Sequence, residues 1–331
     1  MIARRRLFKV TAGAVAAAGW PQRRASADAP PETRRIRIAK TPSVCLAPQY
    51  VAEELLKAEG FTDVQYHDNL GGLPGARQMG AGEVDLQMNF AAPLVVALDA
   101  GDPIVILGGV HVGCFELFGT ERVQTIKDLK GRTVAVFAMD SAQHIFLSAM
   151  ATQVGLDPRR DITWLTPPAA EAKQMLADGK IDGYLGFPPD PQELRAKKIG
   201  HVVVNSAVDR PWSQYFCCMI TANRDFVRRH PVATRRAMRA ILKADAICAA
   251  EPDRAAKAVL GRGFPFRPEF VVQALKELPY GRWREYDPAD TLRFYALRLR
   301  EAGMVKAAPQ KILADGTDWR FLNELKKELK A

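Results

Sequence analysis

Short apolar runs alternate with amphipathic stretches over residues 35–205. Apolar runs of five to eight residues are typical of buried strands, and apolar positions recurring every three to four residues are typical of helices. The first part of the pattern predicts, in order, strand RIRIAK, helix PQYVAEELLKAEGF, strand VQYHDN, a helix at 76–81, strand VDLQMNF, helix APLVVALDAG and strand PIVILGGV. The second part predicts strand TVAVFAM, helix SAQHIFLSAMATQVG, strand ITWLT, helix AAEAKQMLADG, strand IDGYLGF, helix DPQELRAKKIG and strand HVVVNS. Such alternation predicts two α/β lobes with parallel sheets.

The remainder of the chain is predicted to be mainly helical. The periodicity places helices at 232–249, 254–260, 268–278, 288–302 and 319–329. Between 228 and 243 the run RRHPVATRRAMRAILK places Arg235, Arg239 and Lys243 on one helical face. We interpret this basic face as solvated, with a docking surface as the alternative.

One corner of the chain occurs twice. ARQMGAGEVDLQMNFAAP at 76–93 matches AKQMLADGKIDGYLGFPPD at 172–190 with an offset of 97 residues. In each copy a glycine, Gly82 or Gly179, allows the positive φ with which a helix ends before a strand begins. Phe90 and Phe187 follow at the carboxyl ends of those strands, the edge at which open α/β sheets bind ligands. Each ring is therefore a candidate for a cleft wall, with core packing as the alternative.

The first 27 residues read as an export signal. A basic start is followed by a short run of small apolar residues and the cleavage signature Ala25-Ser26-Ala27. Arg4-Arg5-Arg6 resembles the twin-arginine signal. This segment carries six basic residues and no acidic ones, so its removal lowers the formal charge from +10 to +4. A nucleic-acid partner is therefore not expected.

Motifs for catalysis and metal binding are missing. The sequence has no P-loop, no Gly-x-Ser-x-Gly, no His-Glu-x-x-His, no EF-hand loop and no complete dinucleotide fingerprint. Its five cysteines include no Cys-x-x-Cys pair, and their odd number leaves at least one thiol free or paired between chains. We expect neither enzymatic activity nor a metal or cofactor.

A family resemblance rests on segments that follow one another in order. They are IRIAKTPSVCLAPQYVAEELLKAEGF, GAGEVDLQMNFAAPLVVALDAGDPIVIL, IKDLKGRTVAVFAMDSAQHIFLSAMATQVGL, ADGKIDGYLGFPPDP and ITANRDFVRRHP. This chain resembles, over residues 35–245, the nitrate/sulfonate/taurine group of periplasmic substrate-binding proteins of ABC importers. DLKGRTVAV at 128–136 is the most specific element. The chain departs from the family where FPPD replaces a common Glu-Pro, which leaves the ligand open.

The resemblance implies the two-lobed class II periplasmic-binding-protein fold, in which a mostly parallel sheet flanked by helices forms each lobe and two crossover strands form the hinge. It implies lobe 1 at 28–120 plus 221–331 and lobe 2 at 121–220. The crossover strands are expected at 114–120 and 215–221. If they are neighbours, Cys114 pairs with Cys217 or Cys218, or all of these thiols stay free.

Candidate ligand contacts follow from the strand-end loops. Lobe 1 offers Thr41, Ser43, Asn89, Phe90 and Ala91, and lobe 2 offers Phe137, Asp140, Ser141, Gln143, Phe187 and Asp190, with Trp212 near the second crossover. Ser141 is a predicted N-cap that either holds an oxyanion or only caps its helix. Asp140 would repel an anion, so it either meets a ligand amine or faces water. Trp212 either covers the ligand or packs in the core.

The sequence thus predicts a monomeric periplasmic receptor, soluble after signal removal, that delivers a small organic anion or zwitterion, such as an alkanesulfonate or taurine, to the permease and ATPase subunits of an importer. Three alternatives stay open. They are a receptor for a pyrimidine-like thiamine precursor, an enzyme related to thiamine-pyrimidine synthases, and a sensory receptor without an importer.

Replacing Arg4, Arg5 and Arg6 together by lysine should block export, because the twin-arginine route reads these guanidinium groups. The fraction of protein in the periplasm, measured by immunoblot of cell fractions, checks this. Normal export of the triple variant would assign the leader to the general secretory route.

Overall fold

A computed structural model describes residues 29–329. The predicted export signal lies outside the described residues. None of the helices within 29–329 is long and apolar enough to cross a membrane.

The first half of the α/β region forms one sheet and its helices. Its strands are β1 (Arg35–Lys40), β2 (Asp63–Asp68), β3 (Leu86–Phe90) and β4 (Ile104–Val112), and the helices between them are α1 (Ala47–Ala58), α2 (Gly72–Gly80) and α3 (Ala91–Asp99). Every element predicted from the pattern is present here. The 97-residue repeat is visible in the corner that joins α2 to β3, where Gly82 has φ +83°.

The second half repeats this arrangement. Its strands are β5 (Glu116–Gly119), β6 (Arg132–Ala135), β7 (Ile162–Leu165), β8 (Gly183–Gly186) and β9 (His201–Asn205), and its helices are α4 (Ala142–Gln153), α5 (Ala169–Ala177) and α6 (Asp190–Lys197). Gly179, with φ +68°, turns the chain from α5 towards β8 just as Gly82 does in the first copy. The predicted strand TVAVFAM is shorter than expected, because β6 ends at Ala135 and Phe137 and Met139 lie exposed in the following loop.

The two sheets share one topology. The first has the order β2-β1-β3-β10-β4, where β10 is Phe216–Asn223, and the second has the order β7-β6-β8-β5-β9. β10 runs antiparallel to β3 and β4, and β5 runs antiparallel to β8 and β9, whereas the other pairs are parallel. This confirms the predicted fold of two mostly parallel lobes joined by crossover strands.

The crossover strands refine the lobe boundaries. β5 pairs in the second sheet and β10 pairs in the first. We therefore propose that the lobes meet within residues 113–115 and 206–215, instead of at 120 and 220.

The C-terminal region packs helices on the first sheet. They are α7 (Arg224–Arg229), α8 (Pro231–Ala250), α9 (Pro252–Leu260), α10 (Pro268–Glu277), α11 (Pro288–Glu301), α12 (Pro309–Gly316) and α13 (Arg320–Glu328). The five predicted helices are found with ends within two residues, and five helices begin with a proline, whose fixed φ suits the first helical position. The separate short helices α7 and α12 were not predicted.

The basic face of α8 is not simply solvated, as the sequence suggested. Arg239 is buried at 8% exposure, and its Nε donates to Glu59 Oε1 at 2.8 Å while its Nη1 contacts Glu328 Oε1 at 2.7 Å. Arg235 also pairs with Glu328. Because helix periodicity alone does not reveal acidic partners on distant helices, the sequence could not predict these ion pairs.

A disulfide joins the two connections between the sheets. Cys114 lies between β4 and β5, and it is bonded to Cys217 in β10 with a Cα–Cα distance of 6.6 Å. Cys45, Cys218 and Cys248 are free and buried. The structure thus selects Cys217 as the partner that the sequence left open.

The denatured, unreduced protein should show three reactive thiols in an Ellman assay and five after reduction. Replacing Cys114 and Cys217 together by serine should lower the free energy of unfolding by about 2–4 kcal/mol, because the link spans a long loop. Urea unfolding without reductant checks this, and the double variant should no longer respond to dithiothreitol. Five reactive thiols before reduction would contradict the pairing.

Candidate functional site

A cavity of about 290 Å³ lies where the carboxyl ends of strands from both sheets face each other. Its walls come from loops after β1, β2 and β3 in the first lobe and after β6 and β8 in the second. They contain Thr41, Pro42, Ser43, Leu70, Gly71, Gly72, Pro74, Phe90, Phe137, Ala138, Met139, Ser141, Ala142, Gln143 and Phe187. Ligands of open α/β sheets bind at this edge, so this cavity is the candidate site.

Three phenylalanines form the floor of the cavity. The ring centroids of Phe90 and Phe187 lie 5.7 Å apart, and those of Phe90 and Phe115 lie 5.2 Å apart. Phe115 also meets Phe187 at 6.2 Å. Phe90 and Phe187 are the equivalent residues of the 97-residue repeat, so the two copies of the corner touch each other across the cleft.

The lobes also approach each other through their backbones. Gly72 has φ +55°, and a Cβ atom added there would lie 3.0 Å from the backbone nitrogen of Ala142 in the other lobe. A side chain at residue 72 would therefore separate the lobes or strain the turn. The turn-rich LGGLPG motif was the sequence signal for this contact, although it was not assigned to the site.

Four helices begin at the cavity. Their N-cap residues are Ser141 for α4, Phe90 for α3, Gly71 for α2 and Ser43 for the 3-10 turn that leads into α1. The first N–H groups of a helix have no intrahelical acceptor, and the helix dipole adds partial positive charge there. The cavity is thus favourable for an anion without needing a basic side chain.

Most polar side chains of the cavity already have partners. Ser141 Oγ accepts a hydrogen bond from the backbone of His144 at 3.3 Å, as predicted for an N-cap. Thr41 Oγ1 donates to Asn69 at 3.3 Å, and Ser43 Oγ lies 3.0 Å from the Cys45 sulfur. Gln143 differs, because it is only 4% exposed and its amide forms no hydrogen bond within residues 29–329. A buried amide without a partner is costly, so a ligand is its natural complement.

Three predicted contacts lie behind the cavity wall. Asn89 donates from Nδ2 to the Gly72 carbonyl at 2.9 Å and accepts from the Phe90 N–H at 2.8 Å, so it shapes the wall. Ala91 and Trp212 line a much smaller space of about 10 Å³ behind Phe90. The structure brings none of these three side chains to the main cavity.

The Trp212 ring packs edge-on against Phe146 at 5.6 Å and Phe294 at 5.7 Å. It is 3% exposed. Of the two roles weighed for this residue, the structure shows the packing one.

The two candidate carboxylates also lie outside the cavity lining. Asp140 is exposed, with φ +62°, and its backbone N–H donates to His144 Nδ1 at 3.0 Å. Burial lowers the pKa of His144, which keeps this ring nitrogen free to accept that bond. Asp190 accepts from Tyr184 at 2.5 Å and from Lys173 at 2.8 Å beneath the loop that follows Phe187. Among the described residues, no charged side chain lines the cavity.

Thiols gather beside the site. The sulfurs of Cys45, Cys114 and Cys218 all lie within 4.8 Å of one another, a spacing that suits a soft metal ion. Cys114 is bonded to Cys217, and burial raises the pKa of Cys218 well above its usual value. A metal needs thiolates, so this cluster is not a metal site while the disulfide is intact.

The model of the NMT1-like family matches residues 29–260 of the chain. The bicarbonate-binding protein CmpA of Synechococcus elongatus is 30% identical over 125 residues, which are 37% of this chain and 27% of that protein. The chain therefore matches little more than a quarter of the length of this curated relative.

Solved structures show the fold. The alkanesulfonate-binding protein SsuA from Xanthomonas axonopodis pv. citri, bound to MOPS, is 18% identical with a TM-score of 0.68, and the match covers 87% of this chain and 99% of that one. The periplasmic nitrate-binding protein NrtA from Synechocystis is 15% identical with a TM-score of 0.68, over 91% of this chain and 90% of that one. With a family model that spans well over half of its length, and with the two-lobed fold of these periplasmic binding proteins, this chain belongs to the NMT1-like family.

Proposed function

We propose that the protein is an extracytoplasmic solute receptor that delivers a small organic anion or zwitterion to an ABC importer. The observation that carries this proposal is the cavity between the lobes, which both sheets line with strand-end loops and which the Phe90–Phe187 contact closes. The periplasmic location rests on the predicted leader and on the relatives of the same fold. The importer's permease and ATPase are the proposed partners.

The chemistry of the cavity supports binding. The lining offers hydroxyls, an amide, backbone N–H groups and aromatic rings, and among the described residues it includes no carboxylate, imidazole, amine or thiol. These groups orient a ligand by hydrogen bonding and packing, whereas acid-base and nucleophilic catalysis needs the groups that the lining lacks.

Closure of the lobes is the proposed mechanism. A ligand that contacts both lobes binds the closed form more tightly than the open form and shifts the population towards it. Outside the cavity, Arg195 of α6 pairs with Glu277 of α10, and Gln192 donates to the same carboxylate at 2.8 Å. Because α6 belongs to the second lobe and α10 packs against the first, we propose that this contact stabilises the closed form.

A pyrimidine-like heterocycle is the second candidate ligand. The rings of Phe90, Phe137 and Phe187 all line the cavity, and an aromatic ligand can stack on such surfaces. A sensory receptor would use the same site, and adjacent permease and ATPase genes would distinguish a transport role from it.

Gln143→Ala should weaken binding about tenfold, because the ligand loses a hydrogen bond from a buried amide. Phe187→Ala should weaken it at least as much by removing part of the floor. The ligand is first found by a thermal-shift screen of nitrate, taurine, alkanesulfonates, aromatic acids and pyrimidines, where saturation at 100 Kd stabilises by about 2.7 kcal/mol. Isothermal titration then measures the variants.

Gln174→Ala is the matched control, since Gln174 is exposed on α5 and bonds only to Asp178. It should bind like the parent. Unchanged affinity in both Gln143→Ala and Phe187→Ala would place the site elsewhere, and a screen in which only a partner protein raises the melting temperature would refute the receptor proposal.

Glu277→Gln should weaken every ligand by the same factor of about two to five, because it destabilises the closed form without touching the cavity, and partly exposed ion pairs contribute up to about 1 kcal/mol. Small-angle scattering of the ligand-free protein should show a larger radius of gyration. Glu269→Gln, on the exposed first turn of the same helix, is the control. Equal affinity and equal scattering in the two variants would show that the contact plays no part in closure.

A further inference from the structure

We infer that the cavity selects a monoanion with one oxyanion head and an apolar tail, and that it discriminates against zwitterions and small inorganic oxyanions. This inference rests on the proposed receptor function and names the class of solute for the same site. It is carried by three features, which are an uncharged lining, one unpaired buried amide at a helix start and an apolar rim.

The head group belongs at the start of α4. This helix has twelve residues, and the N–H groups of Ala142 and Gln143 lie at its first two positions, where no intrahelical acceptor exists. The Gln143 amide is the independent second feature, because it is more than nine-tenths buried, lines the cavity and has no partner within the described residues. Together these donors match the oxygens of a carboxylate or sulfonate.

A ligand ammonium group would have no partner. The nearest candidates from the sequence were Asp140 and Asp190, and neither lines the cavity. Asp190 is engaged by the Lys173 ammonium and the Tyr184 hydroxyl, and Asp140 is exposed to solvent. Placing a cation in a cavity without a carboxylate costs its hydration and returns nothing, so a zwitterion should bind more weakly than the matching monoanion.

The tail belongs between the lips of the cleft. Leu70 of the first lobe is 70% exposed, and Phe137 and Met139 of the second lobe are 62% and 51% exposed. These three line the same cavity, and they are half of the large apolar residues exposed within residues 29–329. Each methylene that such surfaces cover adds affinity, so a longer chain should bind more tightly than a shorter one.

Nitrate and bicarbonate lack the second half of this match. Each would occupy only the head position and leave the rings and lips in contact with water. Binding of such ions therefore gains nothing from most of the cavity wall.

Titration calorimetry of the purified full-length chain with four probes tests the inference. Hexane-1-sulfonate should bind at least tenfold more tightly than ethanesulfonate, ethanesulfonate at least tenfold more tightly than taurine, and nitrate should be weakest. Taurine and ethanesulfonate form a matched pair that differs only in the ammonium group. Hexanoate distinguishes a carboxylate from a sulfonate head, and tight binding of either six-carbon anion supports the proposed class.

Variants separate the head from the tail. Leu70→Ala and Phe137→Ala should weaken hexane-1-sulfonate at least threefold and leave ethanesulfonate unchanged, whereas Gln143→Ala should weaken both sulfonates equally. Val208→Ala, at an equally exposed residue outside the cavity lining, is the control.

Two outcomes overturn the inference and keep the receptor function. They are taurine binding as tightly as ethanesulfonate, and a pyrimidine or nitrate binding more tightly than both six-carbon anions. If no small solute binds, the receptor proposal itself fails, and the inference fails with it.

Discussion

The contact between Phe90 and Phe187 is the interaction on which the site depends. Each ring sits at the carboxyl end of a central strand in its own sheet, and the two rings meet 5.7 Å apart with Phe115 beside both. Aromatic rings bury much area and prefer tilted or edge contacts at this spacing. The pair therefore sets how closely the two sheets approach, and with it the depth of the cavity.

The repeat explains why these rings can meet. Two copies of one helix-glycine-strand corner place equivalent residues at equivalent edges, and facing lobes bring those edges together. Each sheet then receives one antiparallel strand, β10 or β5, where the chain crosses between lobes. The Cys114–Cys217 disulfide links the two crossings, so closure of the cleft is guided by a covalently fastened hinge.

Charge is arranged around the cleft and kept out of it. The Lys173–Asp190 pair supports the loop after Phe187 from below, and the Arg195–Glu277 pair joins the lobes at a distance from the cavity. Inside the cavity, polarity comes from helix starts, hydroxyls and the Gln143 amide. Fixed dipoles of this kind attract an anion without the desolvation cost of a buried basic side chain.

The sequence by itself determined the local structure and the repeat. Strand β1 and helix α8 were predicted almost to the residue, because period-2 and period-3.6 patterns and initial prolines act over a few neighbours. The same signals identified the strand-end loops, and seven predicted contacts, including Phe90, Gln143 and Phe187, line the cavity. Only the tertiary structure decided which strands pair, which cysteine Cys114 joins, and that Asp190 is occupied by Lys173. These depend on groups far apart in the chain, whose meeting no local pattern encodes.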